Sequence, residues 1–524
     1  MYRVLVSDSM SKEGLYPLLD NPMIDVVQKN VKEAVDSLHE FDALLVRSAT
    51  KVTEELLSQM PNLKIIARAG VGVDNINVES ATKYGVIVIN APDGNTISTA
   101  EHTFAMMASL VRHIPQANIS VKSREWSRSN FVGVELANKH LGIIGLGRIG
   151  SEIAKRARAF EMKVHVFDPF LTKARAEKLG VDLCTLDEVL AVADIITVHT
   201  PLTKETKGLL GKENLSKTKK GVYLVNCARG GIIDENEVVN FIENGHVAGM
   251  ALDVFEVEPP VNNRLLEFDQ VISTPHLGAS TKEAQLNVAS QVAKEVAEYF
   301  EGKPVTSAIN MPALSKDIYE KIQPFYGLSK KLGLLLSQCM NEPVQEISIT
   351  YAGTVTNLET SFISKGLLAG FLKGRIDTTV NEVNVAMVAK SIGITFGDKI
   401  ATNSFGYSNS ITVTALGDHK SFEIRATYVP HYGGRIVSLN GFNIDFEPEG
   451  NLLYIQHTDR PGVIGRVGQI LGDNSINIAT MQVGRKEAGG EAIMMLSFDK
   501  PMTEDVVETL TKVTDIVTIR KIEF

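Results

Sequence analysis

Three cysteines in 524 residues, at Cys184, Cys227 and Cys339, are too few and too scattered to staple a secreted fold or to form a CxxC-type zinc site. A reducing compartment is expected, with no metal centre. No apolar run reaches membrane-spanning length, and the opening MYRVLVSDSM reads as a strand rather than a signal peptide. The expectation is a cytoplasmic protein with no membrane partner. A basic stretch is missing too: 53 Lys+Arg against 62 Asp+Glu give a net charge of −9, which argues against nucleic acid and leaves any anionic ligand to local arginines. Low-complexity segments, the mark of a scaffold with disordered tails, are also absent.

What is present is a series of apolar runs that end in small or polar residues. RVLVSD, FDALLVRSAT, LKIIARAGVGVDN and GVIVINAP, with a helix-like stretch after the first, predict a small parallel α/β domain. Residues 139–169, KHLGIIGLGRIGSEIAKRARAFEMKVHVFDP, run strand, GLGRIG, helix, strand, acid. That order predicts a dinucleotide site: Gly145 for the tight turn, Gly147 for close approach of a pyrophosphate, Gly150 for close packing of helix on strand. The helix N-terminus would face the phosphates. Asp168 would bind the ribose diol and repel a 2′-phosphate, so NAD is favoured over NADP.

NTISTAEHTFAMMASLVRHI has helical period, and ADIITVHTP, GVYLVNCARG, HVAGMALDVF and VISTPHLG extend one doubly wound sheet. The amphipathic run TKEAQLNVASQVAKEVAEYFEGK could return the chain to the first domain. The expected architecture is α/β: a Rossmann domain, residues 95–283, inserted in a flavodoxin-like domain of residues 1–94 and 284–311. An α+β domain, residues 316–446, follows: a long helix, EISITYAG, a further helical region, then SITVTAL, FEIRATYV and RIVSLNGFNIDF. Beyond the linker EPEGN, residues 452–524 parse as βαββαβ, a ferredoxin-like module.

Three polar segments follow strands of the inserted sheet. NCARGG carries Arg229, whose guanidinium fork could grip a carboxylate and polarise the neighbouring carbonyl; a structural ion pair is the alternative. TPHLGAS carries His276, suited to proton transfer near neutrality or, more plainly, a hydrogen-bonded core histidine. FEVEPP carries Glu258, which could orient the imidazole or simply be solvated. His199 reads as a strand-end residue and His102 as packing or bonding within its own helix.

GLGRIG with FDP, VHTPLT, NCARGG, DVFEVEPP, TPHLGAST and HTDRPGVIGRVG, in this order, resemble the D-isomer-specific 2-hydroxyacid dehydrogenase family in its long form with a C-terminal ACT domain. The resemblance implies Arg229 on substrate carboxylate and carbonyl, His276 as general acid and base, and Glu258 as its partner. It implies cofactor contacts from Arg148, Ile149, Asp168, Thr200, Cys227 (through backbone and shape), Arg229, Asp253, His276 and Gly278. The substrate would meet Arg47, Ser48, Gly70, Val71 and Gly72, with backbone N–H groups of the glycine segment converging on an anion; a plain turn is the alternative there. Arg128 could reach in from a neighbouring subunit.

The implied cofactor is NAD, the substrate 3-phosphoglycerate, the product 3-phosphohydroxypyruvate, the effector L-serine and the assembly a homodimer or homotetramer. His457, Asp459 and Asn477 match an amino-acid-binding pattern in the ACT module. His431 and Arg435 in HYGGR are a candidate anion site of the α+β domain, and a solvated turn is the alternative. Two other readings remain: a related dehydrogenase acting on glyoxylate, hydroxypyruvate or a sugar-acid phosphate, and an NAD-sensing corepressor.

Overall fold

The computed structural model describes residues 1–376 and 380–524. Its first sheet is wholly parallel: β1 (Tyr2–Val6), β2 (Ile24–Gln28), β3 (Ala43–Val46), β4 (Ile65–Arg68) and β5 (Ile87–Asn90), in the order β2-β1-β3-β4-β5. Successive residues point to opposite faces and both faces are covered. Val4, Leu45, Ile65 and Ile89 pack under the helix Lys282–Phe300, whereas Leu5, Leu44, Ile66 and Val88 pack on the other side. Such strands read as unbroken apolar runs because neither face meets water.

The second sheet is β6 (His140–Ile144), β7 (Lys163–Phe167), β8 (Asp182–Leu183), β9 (Ile195–Val198), β10 (Val222–Asn226), β11 (Val247–Leu252) and β12 (Val271–Ser273), in the order β12-β11-β10-β9-β6-β7-β8. Strand order reverses between β6 and β9, and ligands bind beyond the carboxyl ends of strands at such a switch point. The chain crosses between the two sheets twice. The first crossing precedes the helix Thr96–Val111 and the second precedes Lys282–Phe300, which Thr281 caps by accepting from the Ala284 N–H.

The third sheet contains β13 (Val344–Gly353), β14 (Thr395–Ala401), β15 (Asn409–Gly417), β16 (Ser421–Val429), β17 (Gly433–Leu439) and β18 (Phe442–Phe446), in the order β14-β13-β15-β16-β17-β18. The helices Lys316–Cys339 and Thr360–Leu372 cover it. The last sheet, β19 (Asn451–Thr458), β20 (Ile478–Arg485), β21 (Glu491–Phe498) and β22 (Ile516–Glu523), has the order β20-β21-β19-β22 and alternates with two helices as βαββαβ. One face packs on those helices. Leu452, Tyr454, Met495 and Ile522 on the other face join the core of the third sheet.

Two strands depart from the sequence reading. β2 lies in the stretch expected to be helical, and β14 lies in the region read as a further helix. Both are sheet edges; β14 (TFGDKIA) is exposed along nearly its whole length, so no buried face imposes a two-residue period on it. Among the described residues no helix is long and apolar enough to cross a membrane.

Candidate active site

The GLGRIG turn follows β6. Gly145 has φ +94°, and a Cβ there would stand 2.7 Å from the His199 carbonyl. At Gly150 a Cβ would lie 2.3 Å from the Gly145 carbonyl, whereas Gly147 faces open space. The helix Arg148–Ala159 starts at Gly147 with no side-chain cap, so its first N–H groups remain available to phosphate. Asp168 closes the turn from the end of β7: its Oδ2 accepts from Leu146 N at 2.7 Å and its Oδ1 from Phe170 N at 2.8 Å. Thr200 Oγ1 is buried beside the turn without a protein partner. An orphaned hydroxyl, open space over Gly147 and an uncapped helix end fit a dinucleotide.

Arg148 pairs with Asp93 at the first crossing, and Ile149 turns into the core of the second sheet. Burial pushes the Cys227 thiol up to about 12, which leaves backbone and shape as what that residue can offer. Burial takes His199 down to about 3, with its Nε2 on Thr197 Oγ1 at 2.8 Å.

His276 Nδ1 lies 2.9 Å from Glu258 Oε2, and Glu258 Oε1 accepts from Phe255 N at 3.1 Å. The Arg229 loop reaches the same segment, since a Cβ on Gly230 would strike the Phe255 carbonyl at 1.9 Å. His276 has φ +55°, a conformation that side chains other than glycine adopt only when their surroundings impose it. Asp253 imposes it from below. Its Oδ1 accepts from Leu277 N at 2.7 Å and Thr274 Oγ1 at 2.6 Å, its Oδ2 accepts from Gly278 N at 2.8 Å, and its carbonyl accepts from His276 N at 2.9 Å. Burial would raise this carboxyl, but bonds from His102, Thr274, Leu277 and Gly278 hold it below its ordinary value. His102 therefore bonds outside its helix, contrary to expectation, reaching Thr274 Oγ1 and Asp253 Oδ1 at 3.1 Å each.

Arginines gather where the first sheet faces the second. Arg47 follows β3, its N–H donating to Asp8 Oδ2 at 2.6 Å, with Ser48 exposed beside it. Arg229 Nε stands 3.3 Å from Asp74 Oδ2. Between them lies Arg68, which the sequence reading missed. Its Nε donates to Asn75 at 3.3 Å, and burial followed by Arg229 lowers its pKa, against Asp74. Its signal was available: Arg68 closes β4 in register with Val46, one residue before Arg47. In the glycine segment expected to turn N–H groups on an anion, one N–H already has a partner. Gly70 N donates to the Arg68 carbonyl at 2.8 Å, and the Val71 carbonyl accepts from Asn90. Gly70 and Gly72 also make room for guanidinium groups: a Cβ at Gly70 would meet Arg68 Nη1 at 2.3 Å, and one at Gly72 would meet Arg229 Nη2 at 2.0 Å. Arg128 lies exposed in a short turn beside exposed Trp126.

In the last sheet His457 is buried with Nε2 unpartnered, whereas Asp459 Oδ2 already accepts from Arg485 Nη1 at 3.0 Å, which holds that carboxyl below its usual range. Asn477 donates to Asp499 at 3.2 Å. One chain does not bring these three residues together. β19 and β20 are both antiparallel to β21, with His457 level with Ala492 and Ile478 level with Phe498, a separation of roughly 20 Å along the strand. Arg435 is likewise paired, its Nε on Asp445 at 2.8 Å with Glu447 nearby. Among the described residues no group of three or more His, Cys, Asp or Glu could hold a metal ion.

Residues 104–278 match the model of the D-isomer specific 2-hydroxyacid dehydrogenase NAD binding domain, residues 321–440 that of the D-3-phosphoglycerate dehydrogenase intervening domain, and residues 452–515 that of the ACT domain. The chain is 66% identical to D-3-phosphoglycerate dehydrogenase of Bacillus subtilis (strain 168) over 523 residues, 100% of both chains. Against the enzyme of the same name from Archaeoglobus fulgidus it is 42% identical, over 99% of this chain and 100% of the other. Among solved structures it is similar to D-lactate dehydrogenase from Aquifex aeolicus complexed with NAD and lactic acid (TM-score 0.52, 32% identity, 57% of this chain and 96% of that one). It is also similar to a glyoxylate reductase from Paecilomyes thermophila (TM-score 0.54, 27% identity, 59% and 98%).

Proposed function

The chain belongs to the D-3-phosphoglycerate dehydrogenase family, and from that premise we propose how its residues perform NAD-dependent oxidation of 3-phospho-D-glycerate to 3-phosphohydroxypyruvate, the step that opens L-serine biosynthesis. The observation that carries the assignment is the His276–Glu258 hydrogen bond of 2.9 Å on a loop held in a left-handed conformation. Glu258 accepts a hydrogen bond from Nδ1–H, so Nε2 is left as the base that takes the proton of the substrate C2 hydroxyl. Arg229 holds the carboxylate and steadies charge on the reacting oxygen, with Arg68 and Arg47 drawing the phosphate end toward the first sheet. Bound NAD supplies the hydride acceptor, held at the GLGRIG turn by helix N–H groups, Asp168 and Thr200.

We assign L-serine as effector of the ACT module. Since one chain separates His457 and Asp459 from Asn477, a site using all three needs two copies, which supports a homo-oligomer. The three free cysteines suit a cytoplasmic enzyme. The test is NADH absorbance with a panel of D-2-hydroxy acids, with and without L-serine. Fast turnover on 3-phosphoglycerate, slowed by serine, is expected; a preference for glycolate or D-glycerate would overturn the substrate assignment.

A further inference from the structure

Both chain crossings between the first two sheets converge on the loop that carries His276. The helix Thr96–Val111, which starts directly after the first crossing, turns Ser98, Thr99 and His102 toward that loop. Ser98 and Thr99 donate to the Gly278 carbonyl at 2.6 and 3.2 Å, while His102 Nε2 contacts Asp253 Oδ1 and Thr274 Oγ1 at 3.1 Å each. Thr274 Oγ1 donates to Asp253 at 2.6 Å, so its oxygen can only accept from His102, whose Nε2 must then carry a proton and share it between Thr274 Oγ1 and Asp253 Oδ1. Asp253 is 1% exposed, its Oδ1 accepting from Leu277 N as well as from Thr274 and its Oδ2 from Gly278 N.

We propose that His102 is a positioning residue: its Nε2–H fixes the rotation of the buried Asp253 carboxylate, which holds His276 in its left-handed backbone conformation, and ties the crossing helix to the catalytic loop. A buried carboxylate that loses one donor is free to turn toward those that remain, and the Leu277 and Gly278 N–H bonds cannot both keep their geometry when it does. The inference rests on His276 being the proton-transfer group.

The test compares His102→Leu with His102→Gln, whose side-chain amide can donate to the same oxygen. His102→Leu should lower kcat about 10-fold or more, as loss of an outer partner does elsewhere, with KM for NAD changed less than about 2-fold. It should also raise the deuterium isotope effect on kcat with C2-deuterated 3-phosphoglycerate. His102→Gln should recover most of the loss, and it provides the readout if the leucine variant fails to fold. Wild-type kcat in His102→Leu, or equal loss in two folded variants, overturns the proposal. His276→Ala separates the two levels: if it turns over rapidly the assignment of His276 fails, whereas a slow His276→Ala beside a fast His102→Leu sinks this inference alone.

Discussion

Asp74 and Arg229 face each other between the first two sheets, Oδ2 3.3 Å from Nε, with Asp74 73% exposed and Arg229 29%. The carboxylate on the first sheet's loop thus sits on the guanidinium assigned to the substrate's carboxylate. A partly exposed ion pair of this kind is worth about 0–1 kcal/mol, so an incoming carboxylate can displace it.

Asp74→Asn should therefore lower KM for 3-phosphoglycerate by about 2- to 5-fold with kcat nearly constant, an effect that shrinks as salt rises. Steady-state kinetics at low and high ionic strength decide it, and a raised KM would show that Asp74 aims Arg229 instead of competing for it. Gly72→Ala should act oppositely, because its Cβ would press on Arg229 Nη2.

Glu258→Gln keeps the shape but removes the charge that faces His276 Nδ1–H. A fall in kcat of about 10- to 100-fold is expected, with NADH affinity unchanged by fluorescence titration. Unaltered kcat would remove Glu258 from the pair.

Asp168→Ala should weaken NAD and narrow the preference over NADP, since the ribose acceptor and the charge opposing a 2′-phosphate go together. It should also loosen the turn, because Leu146 N loses its acceptor. The ratio of kcat/KM for the two cofactors is the readout, and a constant ratio would place the ribose elsewhere.

His199, held near 3 by burial, stays neutral in the folded chain at pH values where the unfolded chain takes up a proton. Protons then favour the unfolded state. Stability should be full above about pH 6.5 and fall as pH drops toward 3, this residue accounting for up to about 2 kcal/mol between pH 6.5 and 5. Urea midpoints at pH 7 and 5 test this: His199→Gln should lose less on acidification than the parent, and an equal loss would mean that other groups carry the acid sensitivity.

Elements with a local cause were legible in the sequence. The GLGRIG turn, its helix and Asp168 lie within one short stretch, and the βαββαβ order at the C-terminus follows from alternating periods. Contacts made across the chain were not. Asp74 meets Arg229, and His102 meets Asp253 and Thr274, over sequence separations that no spacing rule links. Arg68 was overlooked because it looked like the end of a strand. The edge strands β2 and β14 were missed because a strand without two buried neighbours carries little apolar pattern, and the wide separation of His457 from Asn477 depends on strand direction, which periodicity does not reveal.

The shared packing of the last two sheets changes what a cut between them can achieve. Gln338 donates to the Glu523 carbonyl at 3.0 Å and accepts from the Glu523 N–H at 2.9 Å, and Leu452, Tyr454, Met495 and Ile522 lie in the third sheet's core. A protease that nicks residues 447–450 should leave both fragments eluting together from a sizing column. Residues 452–524 expressed alone would present those side chains to water and clump, so the C-terminal module is a graft that has fused with its stock.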